Sequence, residues 1–260
     1  MALLLAPGML WADDFDAGYD AYAAGDYETA YEIWLPIAER GDMFAQFSFG
    51  FLYDEGQGVA QDYAEAARWY RAAAEQGFAR AQFNLGFMYD KGRGVAQDYA
   101  EAARWYRLAA EQGVADAQNN LGVMYEKGQG VAQDYAEAER WYRLAAEQGY
   151  VQAQFNLGLM YYEGQGVPQD YAEAVRWFRL AAEQGYAQAQ RNLGIMYAYG
   201  EGVIQDYSTA HMWFNIAARN GYSRAVNSRD VIANRMAPEA IAEAQRRARI
   251  CLKSGYQDCD

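Results

Sequence analysis

Five glycine pairs pose the first chemical question in this 260-residue chain. Gly56/Gly58, Gly92/Gly94, Gly128/Gly130, Gly164/Gly166 and Gly200/Gly202 each form a G-x-G-V turn ahead of a helix-like start. Backbone N–H groups of such a turn can cradle a phosphate at a helix N-terminus. A dinucleotide fingerprint would need a third glycine where Gln133 stands in "GQGVAQ". It would also need a preceding strand, whereas "AQNNLGVMYEKG" has a helical pattern. Five phosphate sites in a row are a poor reading, so the glycines read as joints that end one helix and turn the chain toward the next.

The remaining reactive side chains are few. His211 is the one histidine and has no companion histidines or clustered cysteines to make a metal site. None of the five serines, Ser48, Ser208, Ser223, Ser228 and Ser254, has a lysine three residues on, so the S-x-x-K nucleophile motif is absent. Carboxylates are numerous, but they recur as helix caps and surface pairs rather than as one isolated couple. No catalytic, cofactor-binding or metal-ligating residue is therefore assigned, and the expectation is a non-enzymatic protein without cofactor. The two cysteines, Cys251 and Cys259, lie eight apart in the last ten residues and read as a small disulfide staple in an exported protein. Two free thiols in a cytosolic tail are the alternative.

Charge and the first residues narrow the setting. A formal net charge of −13 argues against nucleic acid, which needs a basic footprint. The opening "MALLLAPGMLWADDFD" is too short and too interrupted to span a bilayer, which takes about 20 apolar residues. It suits the apolar region of a secretory signal with "LWA" before Asp13 as a cleavage site, although no basic segment precedes it. Residues 1–12 therefore read as a signal-peptide remnant. The expected location is periplasmic or secreted, or cytoplasmic if the segment is retained.

Self-comparison shows what must position these residues. "DYAEAARWYRAAAEQGFARAQFNLGFMYDKGRGVAQ" begins at Asp62 and returns, nearly unchanged, 36 residues later at Asp98. Further copies begin at Asp134 and Asp170, with weaker ones at Asp26 and Asp206. A fixed period of this size implies units that bury their faces against their neighbours. Each unit reads as two helices. The first starts at an aspartate N-cap, with Glu65 and its equivalents placed to complete a capping box, and ends at "EQG". The second ends at the glycine joint, and its mid-helix glycines, Gly86, Gly122, Gly158 and Gly194, suggest a close crossing against the Ala-rich first helix.

The pattern A-x-x-W/Y-x-x-A-A-E-Q-G, then A-Q-x-x-L-G-x-M-Y, then G-x-G-V resembles the Sel1-like repeat family, related to tetratricopeptide repeats. The resemblance covers residues 26–221. It implies an all-α, right-handed α/α superhelical solenoid of 36-residue helix-turn-helix repeats. The expected boundaries are an N-terminal cap helix at 13–25 and five repeats at 26–61, 62–97, 98–133, 134–169 and 170–205. A degenerate sixth repeat at 206–237 and a cap helix with tail at 238–260 would follow. The end units depart from the pattern, with Ile33 in the tryptophan position and Pro36 inside a helix of the first.

On a helical projection of the unit from Asp98, Tyr99, Ala102, Tyr106, Ala109 and Ala110 form the core side, with Trp105 at its edge. The opposite side carries Arg104 and Arg107. Carried over from the tetratricopeptide relatives, this face of the first helix would line a concave groove. The groove would show one row of Arg68, Arg104, Arg140 and Arg176 and a second of Arg71, Arg107, Arg143 and Arg179. Stacked guanidinium groups would suit carboxylates on an acidic protein or peptide partner. The opposing reading is a self-neutralised surface, with Glu101 three before Arg104 and Glu111 four after Arg107. The functional expectation is an exported protein- or peptide-binding scaffold of undetermined oligomeric state. A cell-wall or β-lactam hydrolase or binder, like cysteine-rich secreted relatives, and a cytosolic signalling adaptor are the alternatives.

Overall fold

The computed structural model describes residues 9–259; most of the leader reading at 1–12 lies outside the described residues. The fold is all-α, made of repeated helix pairs that pack consecutively, with no strand among the described residues. It forms two compact units, residues 1–133 and 134–260.

The first unit holds α1 (Met9–Ala23), α2 (Tyr27–Glu39), α3 (Met43–Glu55), α4 (Tyr63–Glu75), α5 (Ala79–Lys91), α6 (Tyr99–Glu111) and α7 (Ala115–Lys127). Helix α1 begins at Met9, earlier than the cap helix expected from residue 13. Its Phe15 ring stacks on Trp34, whose indole N–H donates to the Phe15 carbonyl (3.1 Å). The second unit holds α8 (Tyr135–Glu147), α9 (Val151–Glu163), α10 (Tyr171–Glu183), α11 (Ala187–Tyr199), α12 (Tyr207–Arg219), α13 (Arg224–Ala233) and α14 (Pro238–Lys253). Cys251 and Cys259 are bonded to each other, tying the tail back to the end of α14.

Capping chemistry explains where the helices begin. The Asp98 carboxylate accepts from the backbone N–H groups of Ala100 (2.9 Å) and Glu101 (3.1 Å), and Asp62, Asp134, Asp170 and Asp206 do the same for their helices. Each such cap stabilises by roughly 1 kcal/mol. The expected capping box does not close. The Asp62 N–H donates to the Tyr53 carbonyl (3.0 Å), and the Glu65 carboxylate takes Arg68 instead. The intervening helices α5, α7, α9 and α11 have no side-chain cap, because Phe78, Val114, Tyr150 and Tyr186 stand in that place.

Two glycine positions fix the packing distances. A Cβ on Gly94 would lie 2.0 Å from the Tyr63 carbonyl oxygen, and its φ of +70° is left-handed, so the G-x-G joint sits directly on the start of α4. Within α5, a Cβ on Gly86 would lie 2.8 Å from the Tyr106 ring; in the second unit Gly158 meets Phe178 at 2.7 Å. The close crossing is thus against an aromatic ring on the first helix of the next repeat.

Burial follows the helical projection with two changes. Ala102, Tyr106, Ala109 and Ala110 are buried as expected, but so are Trp105 and Ala103, while Tyr99 at the first turn is half-buried. Trp105 belongs to the core it shares with Tyr70, Leu85 and Met88. The equivalent core of the second unit gathers Phe178, Leu193, Met196, Trp213 and Cys251. Each fully buried aromatic or long aliphatic side chain contributes about 1.5–3 kcal/mol.

A second joint is polar and buried. The Gln82 amide donates to the Ala74 carbonyl at the end of α4 (3.1 Å), and its oxygen accepts from Gln112 Nε2 (2.7 Å), which also reaches the Gly77 carbonyl (3.1 Å). Gln154, Ala146, Gln184 and Gly149 repeat the arrangement in the second unit. Each amide answers carbonyls that the helix end leaves without an intrahelical donor.

Candidate functional site

Both rows of first-helix arginines have partners within the chain. Arg68, Arg104, Arg140 and Arg176 are 52–61% exposed and pair with the glutamate three residues before them. Each also lies over the ring of the following tryptophan, at 4.0–5.0 Å from its centroid. Arg71, Arg107, Arg143 and Arg179 turn toward the paired helix of their own repeat and donate to the hydroxyls of Tyr89, Tyr125, Tyr161 and Tyr197. Arg143 also bonds Glu139. Arg107 therefore ties α6 to α7 through Tyr125 (2.7 Å) rather than pairing with Glu111. Exposed pairs of the first kind stabilise by only about 0.2–1 kcal/mol each.

The concavities lie elsewhere, along the helices that carry L-G-x-M-Y. In the first unit, Phe87, Asp90, Tyr106, Asn120, Val123 and Lys127 line a cavity of about 220 Å³ between α5 and α7. In the second unit, Leu159, Tyr162, Phe178, Arg191, Asn192 and Ile195 line one of about 240 Å³ between α9 and α11. These are one site repeated. Leu159 is Phe87 two repeats on, Phe178 is Tyr106, Asn192 is Asn120 and Ile195 is Val123. Two further cavities occupy the same register, one against Trp34, Ser48 and Phe51 (about 270 Å³) and one against Phe214, Ser228 and Val231 (about 280 Å³). Volumes below the ~300–1,000 Å³ of typical small-molecule sites suit single side chains of a partner.

The floor of this channel is uncharged. Burial, with Asp54 and Asp90 adding, pushes the Tyr70 and Tyr106 hydroxyls far above the ordinary phenol range. Phe178 and Phe214 take the same places in the second unit. The walls carry Asn84, Asn120 and Asn192, all half-buried. Asp54, raised by burial against the pull of Arg93, and Asp90, paired with Lys91 (2.8 Å), rim the first unit's channel. Tyr162 and Ala198 replace them in the second.

Among the described residues, no three His, Cys, Asp or Glu side chains could hold a metal ion. His211 is buried, and burial followed by Arg229 lowers its pKa while Asp230 opposes them. No described helix is long and apolar enough to cross a membrane.

Reading by sequence overlooked this channel. The signal was present in the half-apolar recurrence of Phe87, Val123, Leu159 and Ile195 one turn after each asparagine. The glutamine joint was overlooked as well, because "EQG" reads locally as a helix end and the partners of its glutamine lie 30 and 35 residues back.

A model of the Sel1 repeat matches five consecutive stretches, residues 44–78, 79–114, 115–150, 151–186 and 187–222. These frames begin at the L-G-x-M-Y helices, half a repeat away from the boundaries counted from Asp26. Among solved structures, a Sel1 repeat protein from Oxalobacter formigenes is 40% identical, with 84% of this chain and 86% of that one covered and a TM-score of 0.77. A protective antigen of uropathogenic Escherichia coli, c5321, displaying an SLR fold, is 37% identical with a TM-score of 0.83. That alignment covers 96% of this chain but 55% of the antigen, so this chain spans about half its length. No curated protein matches.

Proposed function

Because the chain belongs to the Sel1 repeat family, whose repeats generally mediate protein–protein interaction, we propose that it is a non-enzymatic scaffold that holds a protein segment in the channel of its L-G-x-M-Y helices. The observation that carries this reading is the repetition of one side-chain-sized cavity in four registers, two in each unit, with an aromatic floor and an asparagine or serine wall. An uncharged aromatic floor supplies contact area, and the wall asparagines offer both a donor and an acceptor to a partner's backbone. The bonded Cys251 and Cys259 support an exported protein in an oxidising compartment.

The test is capture of a partner by the wild type and by a variant carrying Val123→Lys and Ile195→Lys, which place charge in the channel of each unit. Capture should fall at least tenfold while the helical circular-dichroism signal and its melting are retained. Undiminished capture by the folded variant would refute the channel. The arginine rows supply the second reading, favoured by the exposure of Arg104 and Arg140. Replacing Arg104, Arg107, Arg140 and Arg143 by glutamine should abolish capture if that face binds, and leave it intact if the channel does.

A further inference from the structure

Arg191 stands where the repeat asks for an aromatic ring. Its register equivalents are Phe47, Phe83 and Phe155, with Asn119 in one repeat. Those rings pack on the channel floor, Phe83 on Tyr106 and Phe155 on Phe178, each at 5.8 Å between centroids. The fold therefore has a place for an apolar plate here, and nothing in the repeat architecture calls for a guanidinium.

Its bonding is also unlike that of the other repeat arginines. The first-helix rows all reach a glutamate or a tyrosine hydroxyl, whereas Arg191 Nη1 donates only a long bond to the neighbouring Asn192 (3.4 Å). Its Nε is buried with no acceptor, and no described carboxylate pairs with it, Glu163 on the same cavity included. A buried donor left without an acceptor costs about 1–3 kcal/mol. That loss is recovered if an acceptor arrives from outside.

The surroundings say what carries that acceptor. Arg191 and Ile195 line two cavities at once. On one side are Leu159, Tyr162 and Phe178; on the other are Tyr199, Phe214 and Val231, of which Tyr199 and Val231 are 70% and 57% exposed. Asn192 and Glu163 edge the first hollow and Asn227 and Ser228 the second. But a cation between two hollows floored by Phe178 and Phe214 complements an anion between two apolar side chains. In an extended chain, side chains on one face recur at every second residue, about 6.8 Å apart.

We infer that Arg191 reads the carboxylate of an aspartate or glutamate in an extended partner segment, with apolar side chains two positions to either side filling the flanking cavities. Guanidinium and carboxylate match in a two-pronged pair that lysine or glutamine does not reproduce. The inference rests on the channel reading above and gives its partner a chemistry.

A random dodecapeptide library displayed on phage, selected on the intact protein, tests it. Enriched sequences should share an acidic residue with apolar residues two positions before and after it. Resynthesised with capped ends, such a peptide should bind the Arg191→Phe and Arg191→Gln variants at least tenfold more weakly. Its Asp→Asn analogue should bind wild type just as weakly and lose nothing further in either variant. Free and amidated C-termini should bind alike, since the side-chain carboxylate is the one read. Peptides that bind wild type and both Arg191 variants equally but are lost in Ile195→Lys would overturn the inference and leave the channel standing. No enrichment, or peptides indifferent to Ile195→Lys as well, would overturn both.

Discussion

Tyr106 in the first unit and Phe178 in the second hold one register position, each pressed on a mid-helix glycine, Gly86 or Gly158. Around them the frame is the same, with aspartate caps, glycine joints and glutamines that bridge helix ends. The channel lining is not. The first unit rims its cavity with Asp90, Lys91 and Lys127, whereas the second offers Tyr162, Glu163 and Arg191. Positions that close the frame answer to packing and hydrogen bonding inside the chain and are held to one residue type. Positions that face the cavity are released from that demand, and their variation is where specificity resides.

Under this division, frame substitutions act alike in both units. The largest effect is expected at the joint. Gly94→Ala and Gly202→Ala each force a Cβ into a backbone carbonyl group, at 2.0 and 2.4 Å, in a left-handed conformation. Each should lose about 3 kcal/mol in urea unfolding. A harmless substitution in either unit would break the equivalence.

The disulfide is the one frame element without a counterpart, so its loss should distinguish the units. Cys259→Ser removes a closure of eight residues' separation, worth about 2–3 kcal/mol on the chain-entropy account. Hydrogen exchange should quicken in α14 and α12 and stay unchanged from α2 to α6. Uniform quickening would contradict it.

Gln82→Leu and Gln154→Leu each remove two hydrogen bonds, the one donated to the helix-end carbonyl and the one accepted from Gln112 or Gln184. About 1–2 kcal/mol should be lost in each. Unequal losses would show that the joint is not common property.

The smallest effects concern pH and should have opposite signs. Burial, only partly offset by Arg93, raises the Asp54 carboxyl, so it favours the folded state while protonated and that contribution is lost as pH rises through its folded value. Burial also pushes Asp206 up, but bonds from Thr209 and Ser208 and the charge of Arg247 outweigh it and leave it lowered. Asp206 therefore stabilises above the ordinary aspartate range and stops doing so as pH falls through its depressed value. At pH 7, Asp54→Asn should raise the melting temperature slightly and Asp206→Asn should lower it. Each difference should stay below about 1 kcal/mol and shrink on acidification. Shifts of the same sign would refute the assignments.

Much of the frame was legible because period and capping are local facts. Asp98, Gly113 and the first glycine of each G-x-G turn act within a few residues of themselves, so their types announce their roles. Gln112 does not, since its partners Gln82 and Gly77 lie 30 and 35 residues back. A helical projection also treats a helix as having one buried side, but α7 buries Ala117, Gln118, Leu121 and Met124 while Asn120 and Val123 face a cavity. The channel therefore had no clean stripe to betray it. Arg107 shows the same limit: a glutamate four residues away suggested its partner, and Tyr125 on the next helix took it.

The end of the glutamine series has a consequence for assembly. In internal repeats, the helix-end amide binds the glutamine of the repeat before it, and each repeat therefore offers its successor a ready seat. At the last such position Asn220 donates to Gln190 (2.9 Å) and also to the Tyr256 hydroxyl (2.8 Å), while the Tyr256 ring covers Gly185. Val226 replaces the glutamine that a further module would grip. A stack of near-identical modules is otherwise a template for open-ended growth, one molecule adding to the end of another. Here the disulfide-held tail supplies the chain's own tyrosine, which accepts the second bond of the Asn220 amide.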